Sequence, residues 1–142
     1  MKEQNLKNHA RFVFLYHVVS FLILLVVLIG SIVNVVNSSK ENLYSATLIL
    51  ATILLLGLTL FFARAFALVA QDRAIRSEEN LRHYILTGTT LPAGLNLGQI
   101  VALRFASDAE FPALVARAKA EGLNNSEIKK LIVSWKADNE RV

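Results

Sequence analysis

The sequence predicts an all-α membrane protein: a two-helix transmembrane hairpin whose second span extends into a small cytoplasmic helical domain. Three observations lead to this fold class. Of the 142 residues, 54% are hydrophobic, and the mean hydropathy of +0.47 is too apolar for an ordinary soluble domain. Residues 12–39 and 42–63 contain no Asp, Glu, Lys or Arg. The remaining sequence is rich in helix-forming residues and in helix-capping signals.

Each charge-free segment is long enough to cross a membrane. At about 1.5 Å per residue, a helix of either length covers a hydrocarbon core of ~30 Å. The sequence therefore predicts transmembrane helices at about residues 12–36 and 43–63. The first is longer than the apolar region of a secretory signal and ends without a small-residue cleavage site, so we expect it to be retained.

The basic residues predict the orientation of the spans, because Lys and Arg accumulate on the cytoplasmic side. Only Lys40 lies in the short connection between the spans. The flanking segments hold the other basic residues near the membrane, which are Lys2, Lys7, Arg11, Arg64, Arg73, Arg76 and Arg82. We expect a multi-pass protein of the bacterial cytoplasmic (inner) membrane with both termini cytoplasmic, and residues 1–11 form its basic N-terminus.

Polar residues within the spans have simple structural interpretations. His17 lies near the inner end of the first span, where its ring reaches the interface. As a haem ligand it would need a partner subunit, because the second span has no histidine. Threonines can return their hydroxyls to the preceding helical turn, and small residues allow close helix approach. The threonines are Thr47, Thr52 and Thr59, and the small residues are Gly30, Ser31, Ala46, Ala51 and Gly57.

The cytoplasmic domain is predicted to cover residues 64–142. Since residues 64–86 contain no Gly or Pro, the second span should continue through about residue 86 as one helix ending at Gly88. Glu78 is expected to pair with Arg82. An apolar stripe is predicted to pack against the domain, formed by Phe66, Ala70, Ala74, Ser77, Leu81 and Ile85. The opposite, solvated side would carry Asp72, Arg76, Glu79 and His83.

Three short helices should follow. The first covers residues 97–106. The second closes at Gly122; Ser107 and Glu110 fit a capping box, but Pro112 indicates that the regular helix begins a residue or two later. The third begins after the N-cap Asn124 and runs through Trp135.

The residues that carry chemistry are few. The chain has no cysteine, which excludes disulfides, thiolate metal sites and cysteine nucleophiles. It contains no phosphate-binding loop and no hydrolase or metalloprotease motif. We therefore expect no catalytic residues, no metal ligands and no cofactor, and the protein is not predicted to be an enzyme.

Contact with other proteins is the role that this composition favours. We expect a membrane-anchored accessory or scaffolding subunit of a larger membrane protein complex, embedded in the lipid bilayer. Candidate partner or lipid contacts are Phe61, Phe62, Arg64, Phe66, Phe111 and Trp135, for which core or lipid packing is the alternative.

Two other roles remain open. Residues 114–131 have the spacing of a helix-turn-helix, with Gly122 at the turn and Lys129 and Lys130 on the second helix. A membrane-tethered DNA-binding regulator is one alternative, although Arg117 takes an apolar position and the mixed charge makes nucleic acid an unexpected partner. A lipid-interacting homo-oligomer is the other.

Several segments carry a resemblance to a known family. They are KNHARF at residues 7–12, GSIVN at 30–34, RAFALVAQDRAIRSEENLRHYILTG at 64–88, ALRFASDAEFPAL at 102–114, EIKK at 127–130 and WKAD at 135–138. The chain resembles an uncharacterised family of small bacterial two-span inner-membrane proteins of unknown function. The resemblance implies the same hairpin and cytoplasmic domain, and it assigns no functional residues. Asn125 departs from the proline that is common there.

Overall fold

The computed structural model describes residues 5–6 and 12–138, and these are helical with no β-strand among them. A π-helical turn over Leu15–Val19 is followed by α1 (Ser20–Asn37), α2 (Leu43–Thr87), α3 (Leu97–Leu103), α4 (Phe111–Glu121) and α5 (Asn125–Leu131). The predicted helical fold is confirmed. The basic residues Lys2, Lys7 and Arg11, on which part of the orientation rests, lie outside the described residues.

The described residues form two compact units. Phe12–Phe66 make up one, here called the apolar unit; the other, the helical unit, comprises residues 67–138 together with Asn5 and Leu6. Two helical segments, Leu15–Asn37 and α2, are long and apolar enough to cross a membrane, with mean hydropathies of 2.8 and 2.5 in their most apolar windows. The predicted spans thus coincide with helices of suitable length.

Four serine and threonine hydroxyls of the apolar unit form hydrogen bonds within their own helices. Thr47, Thr52 and Thr59 each donate to a carbonyl oxygen three or four residues earlier, at 2.8 Å, as the sequence predicted. Ser31 does the same to Leu28 at 2.8 Å. Each hydroxyl is therefore paired without help from another segment of the chain.

Small residues of the apolar unit have two different environments. Ser31 and Ala46 are buried, and a Cβ at Gly57 would contact a methyl group of Leu24 at 3.5 Å. Gly30, in contrast, has nothing within 4 Å of its Cβ position, and Ala51 is exposed. Close packing therefore involves only part of the predicted small-residue set.

Helix α2 is continuous from Leu43 to Thr87, which confirms that the second span and the following helix are one element. The helix ends because Gly88 adopts a left-handed conformation, with φ of 76°. Its N–H donates to the carbonyl oxygen of Tyr84 at 2.8 Å, which satisfies one of the last carbonyls of the helix.

The predicted packing face of residues 66–85 is wrong. Leu81 and Ile85 are 59% and 72% exposed, and the other members of the stripe, Phe66, Ala70, Ala74 and Ser77, are exposed as well. The buried side instead carries Ile75, Glu79 and His83. The prediction from apolar periodicity was wrong because Glu79 and His83 find hydrogen-bond partners within the helical unit. These partners lower the free-energy cost of burying polar side chains.

The N-termini of the short helices are fixed by side chains. Asn96 and Gln99 form a capping box on α3, and Asn124 and Glu127 form another on α5. Helix α4 begins at Phe111 with Pro112 in its first turn, in agreement with the later start that Pro112 indicated. It ends at Gly122, whose φ is 63°, as predicted.

Two of these helices end earlier than the sequence predicted. Helix α3 stops at Leu103, and α5 stops at Leu131 rather than continuing through Trp135. After α3, Arg104 and Phe105 form a turn, whereas Ile132 after α5 is extended. The two segments meet where Trp135 forms an isolated antiparallel bridge with Ala106. In this bridge Ser107 N donates to Ser134 O at 3.0 Å, and Lys136 N donates to Phe105 O at 2.7 Å. Long-range pairing therefore replaces the last turn of α5.

A single apolar core holds the helical unit together. Its largest fully buried side chains are Phe105, Phe111, Leu103, Ile128 and Val115. Ile75 joins this core from α2. Trp135 packs against the core, with its ring 5.2 Å from the ring of Phe105. Aromatic contacts of this kind add to the free energy gained by burying apolar area.

Candidate functional site

Three of the predicted contact residues form an aromatic patch in the apolar unit. Phe61 and Phe66 are each 67% exposed, and Phe62 is 47% exposed. The ring of Phe62 lies 5.4 Å from that of Phe61, edge to face, and 5.6 Å from that of Phe66, stacked. The neighbouring Arg64 is half-buried. Phe61 and Phe62 lie at the end of the charge-free segment and Phe66 lies one turn later, so the three rings together offer a preformed aromatic surface.

The other two predicted contact residues belong to the helical unit and are less accessible. Phe111 is fully buried, so it presents no surface to a partner. Trp135 is half-buried through the bridge to Ala106 and the tilted contact of its ring with that of Phe105. Phe111 therefore packs in the core, which was the alternative to a contact role. Only part of the indole of Trp135 remains exposed.

Arg82 is the centre of a polar network that the sequence analysis did not find. Its side chain is 11% exposed. Nε donates to Asp108 Oδ1 at 2.7 Å, Nη1 donates to Glu79 Oε2 at 3.0 Å, and Nη2 donates to the carbonyl oxygen of Ala106 at 2.6 Å. The guanidinium also lies over the ring of Phe111, 4.3 Å from its centroid. Arg82 therefore pairs with Glu79 and Asp108 in place of the predicted partner Glu78, and it joins α2 to the segment between α3 and α4.

Glu79 is buried beside this guanidinium. Burial raises the pKa of its carboxyl above the ordinary value because the charged form loses hydration, and this effect outweighs the opposing hydrogen bond and attraction from Arg82. Lys136 also lowers the pKa, and Glu78 raises it. Glu79 thus carries a buried carboxylate whose charge costs stability at neutral pH.

His83 occupies the same buried side of α2. Its Nδ1 lies 2.7 Å from the carbonyl oxygen of Thr89 and 3.2 Å from the hydroxyl of Thr87. Its ring meets that of Phe111 edge to face, at 6.1 Å. These contacts fix the loop that follows α2, which gives His83 a structural role.

The C-terminal part of the helical unit is anchored by two charged residues. Glu110 accepts hydrogen bonds from three backbone N–H groups, those of Ser107, Val133 and Ser134, at 3.1–3.2 Å. The buried Arg104 forms an ion pair with Asp138 at 3.0 Å. Both interactions join residues far apart in sequence, so they fix the extended segment after α5.

An open cavity of about 420 Å³ lies beside α2 in the helical unit. It is lined by Arg76, Ser77 and Asn80, by the loop of residues 91–95, and by Ile100. Asn80 Oδ1 accepts a hydrogen bond from Leu91 N at 2.9 Å. Arg76 is the one charged residue of this lining, which therefore contains no acid–base pair or set of metal ligands.

The described histidines and carboxylates do not form a metal site: no three of them come together anywhere in residues 5–6 and 12–138. His17 is held by its neighbours. Its Nδ1 lies 2.9 Å from the carbonyl oxygen of Val13, and its ring stacks on Phe12 at 5.0 Å and meets Tyr16 edge to face at 5.2 Å. These contacts agree with packing at the start of the first span.

Comparison with protein families places this chain. A family of unknown function, DUF6526, matches residues 1–142. The protein belongs to this family. No curated protein and no solved structure matches the chain. Membership covers the whole length and agrees with the resemblance to an uncharacterised family.

Sequence reasoning missed the network around Arg82 because most of its partners are remote in sequence. One local signal existed, since Glu79 and Arg82 are three residues apart and share a side of the helix with Ile75. Asp108 and the Ala106 carbonyl carry no such signal. The candidate aromatic patch, in contrast, could be named from composition and position alone.

Proposed function

We propose that this protein is a non-enzymatic, membrane-anchored accessory or scaffolding subunit that acts by protein–protein contact within a bacterial inner-membrane assembly. The observation that carries the proposal is the exposed patch of Phe61, Phe62 and Phe66. Aromatic side chains lose little conformational entropy on contact and often dominate the energy of an interface. The patch therefore suits lateral contact with another membrane protein.

The polar groups of the helical unit support the same role. Arg82, Glu79, His83 and Glu110 are engaged in contacts that hold this unit together. Side chains with these structural tasks are not arranged around a substrate. The helical unit is then a compact body carried by a membrane anchor, as expected of a subunit that works through its surface.

The membrane arrangement belongs to the proposal. We place the two spans as a hairpin with both termini in the cytoplasm. Two contacts support the hairpin. The hydroxyl of Tyr16 donates to the carbonyl oxygen of Leu60 at 3.1 Å, and Leu24 packs beside Gly57. The basic residues that flank the spans support the orientation.

Single cysteines test the arrangement, because the chain has none of its own. Lys40→Cys should react with a membrane-impermeant thiol reagent added to intact cells. Ala120→Cys, on an exposed residue of α4, should react only after the cells are opened. Protection of Lys40→Cys in intact cells, with labelling after lysis, would contradict the orientation.

Replacing the aromatic patch tests the contact role. In the double variant Phe62→Leu, Phe66→Leu the chain keeps its hydrophobicity but loses the stacked rings. Phe21→Leu, an equally conservative change at an exposed residue of α1, is the control. After gentle extraction from native membranes, the wild type and the control should recover the same membrane complex, and the double variant should lose it.

Two results would contradict the accessory role. Recovery of this protein alone, in all variants, would leave only a self-contained assembly. Recovery of nucleic acid with a steep dependence on salt would favour the DNA-binding alternative. In the latter case Lys130, which is exposed on α5, would be the first residue to change, since Lys129 lies over the ring of Phe105 at 5.6 Å.

A further inference from the structure

The exposed side of α2 in the helical unit has a regular spacing. Successive residues stand three and four positions apart in the order Ala67, Ala70, Ala74, Ser77, Leu81 and Tyr84. This is the heptad repeat of a coiled coil, with Ala67, Ala74 and Leu81 at a positions and Ala70, Ser77 and Tyr84 at d positions. These six residues are here called the heptad face.

Five of the six residues of the heptad face are exposed; Ala67 is half-buried, and Ser77 borders the cavity beside the loop of residues 91–95. Leu81 and Tyr84 are 59% and 55% exposed, and Ala70, Ala74 and Ser77 are exposed. The core instead contacts the opposite side of α2, through Ile75, Glu79 and His83. An exposed face of small residues with Leu81 and Tyr84 at heptad spacing, outside the core, is typical of a surface that binds another helix.

The charges beside the heptad face indicate which helix it binds. Arg73 is at the g position on one flank, and Glu78 is at the e position on the other; both are exposed. They are five residues apart, so they do not face each other on one helix. In a parallel two-stranded coiled coil, a g residue meets the e residue of the next heptad on the partner helix. Arg73 of one copy therefore meets Glu78 of the other, and symmetry forms this pair twice.

We propose that α2 joins two copies of this chain in parallel through the heptad face. Two copies inserted in the membrane in the same orientation have parallel α2 helices, which is the arrangement that the charges require. Alanine and serine at four of the six positions let the helices approach closely, and Leu81 and Tyr84 supply the larger contacts. The dimer does not depend on the accessory role, because none of the six residues of the heptad face belongs to the aromatic patch.

Single-cysteine variants of the full chain in native membranes test the dimer. The seam variants are Ala70→Cys, Ala74→Cys and Leu81→Cys; Val69→Cys and Arg76→Cys are controls at exposed positions outside the heptad face. On mild oxidation, each seam variant should form a disulfide-linked dimer with a yield at least about fivefold above the controls, because a and d residues face their own copies in a parallel pair. Yields equal to the controls would overturn the proposal.

Two further experiments test whether the two α2 helices are parallel and whether Arg73 pairs with Glu78 of the other copy. Strong cross-linking at one seam position alone would indicate crossed or antiparallel helices and would overturn the parallel register. With Ala74→Cys as reporter, Arg73→Glu and Glu78→Arg should each lower the yield, and the double change should restore it. Failure of the double change to restore the yield would overturn the charge pairing. A dimer recovered without any other protein would sustain this proposal and remove the accessory role.

Discussion

The two units of this protein differ in how most of their polar side chains find hydrogen-bond partners. In the apolar unit, Thr47, Thr52, Thr59 and Ser31 all bond to carbonyl oxygens of their own helix, and the large apolar side chains are mostly exposed. In the helical unit, Arg82 and Glu110 bond to residues more than twenty positions away, and the large apolar side chains are mostly buried.

The proposed surroundings explain this difference. In lipid, a polar group has no water to bond, so each helix must satisfy its own, and exposed apolar side chains cost nothing. In water, apolar side chains are driven together, and polar groups buried among them need partners brought by the fold. Removal of a polar group should therefore lower the free energy of unfolding strongly in the helical unit and only slightly in the apolar unit.

Removal of Arg82 should have the largest effect. Arg82→Ala leaves the buried Glu79 and the carbonyl oxygen of Ala106 without their partner, and losing one member of a buried ion pair costs about 3–5 kcal/mol. The control is Arg117→Ala, which breaks the exposed pair with Glu121 at a cost of about 0.5 kcal/mol.

Denaturation of the full chain in detergent measures both variants, with the fluorescence of Trp135, the only tryptophan, as the signal of the helical unit. Equal losses in the two variants would show that the buried network contributes no more than a surface ion pair.

The sequence predicted the local features of both units well. The helix through Thr87, the left-handed Gly88 and Gly122, and the Asn124 cap all depend on neighbouring residues and were confirmed. The packing side of α2 and the end of α5 were wrong, because they depend on partners such as Asp108 and Ala106 that meet these helices only in the fold. The contact role of the aromatic patch stays a prediction.

Glu110 should have the next largest effect. Glu110→Ala removes the acceptor of three backbone N–H groups. Because Glu110 is only half-buried, water replaces part of these bonds, and we expect a total loss of about 1.5–3 kcal/mol, the net value of one bond to a charged group. The extended segment after α5 should loosen, so the amides of Val133 and Ser134 should exchange with solvent faster. Glu110→Gln keeps one acceptor oxygen and should have a smaller effect. Unchanged exchange in both variants would mean that the bridge to Ala106 holds the segment alone.

The buried carboxyl of Glu79 should make stability depend on pH. Its pKa is raised in the folded state, so its contribution to stability is complete below the unfolded value of about 4.3 and is lost as the pH rises through the folded pKa. Acidification from neutral pH should therefore stabilise the wild type relative to Glu79→Gln.

The exposed neighbour variant Glu78→Gln is the control for this pH dependence. It removes the smallest of the contributions to the pKa of Glu79, so it should keep most of the wild-type dependence. The free energy of unfolding, measured against pH for all three proteins, gives the comparison. If acid instead weakens the wild type relative to Glu79→Gln, attraction to Arg82 outweighs the loss of hydration and the pKa is lowered.

A threonine of the apolar unit should have the smallest effect. Thr52→Val removes a hydroxyl that bonds only to Leu48 of its own helix, and valine keeps nearly the same shape. That carbonyl is also an acceptor of the helix backbone, so nothing buried is left unpaired, and the change should stay within about 0.5 kcal/mol.

Asn80→Leu in the helical unit, which deprives the Leu91 N–H of its acceptor, should cost about 1–3 kcal/mol. Both variants are measured by thermal unfolding in the same detergent, followed by circular dichroism. A loss from Thr52→Val as large as that from Asn80→Leu would show that the hydroxyl has a partner outside its own helix, and the contrast between the two units would then fail at that residue.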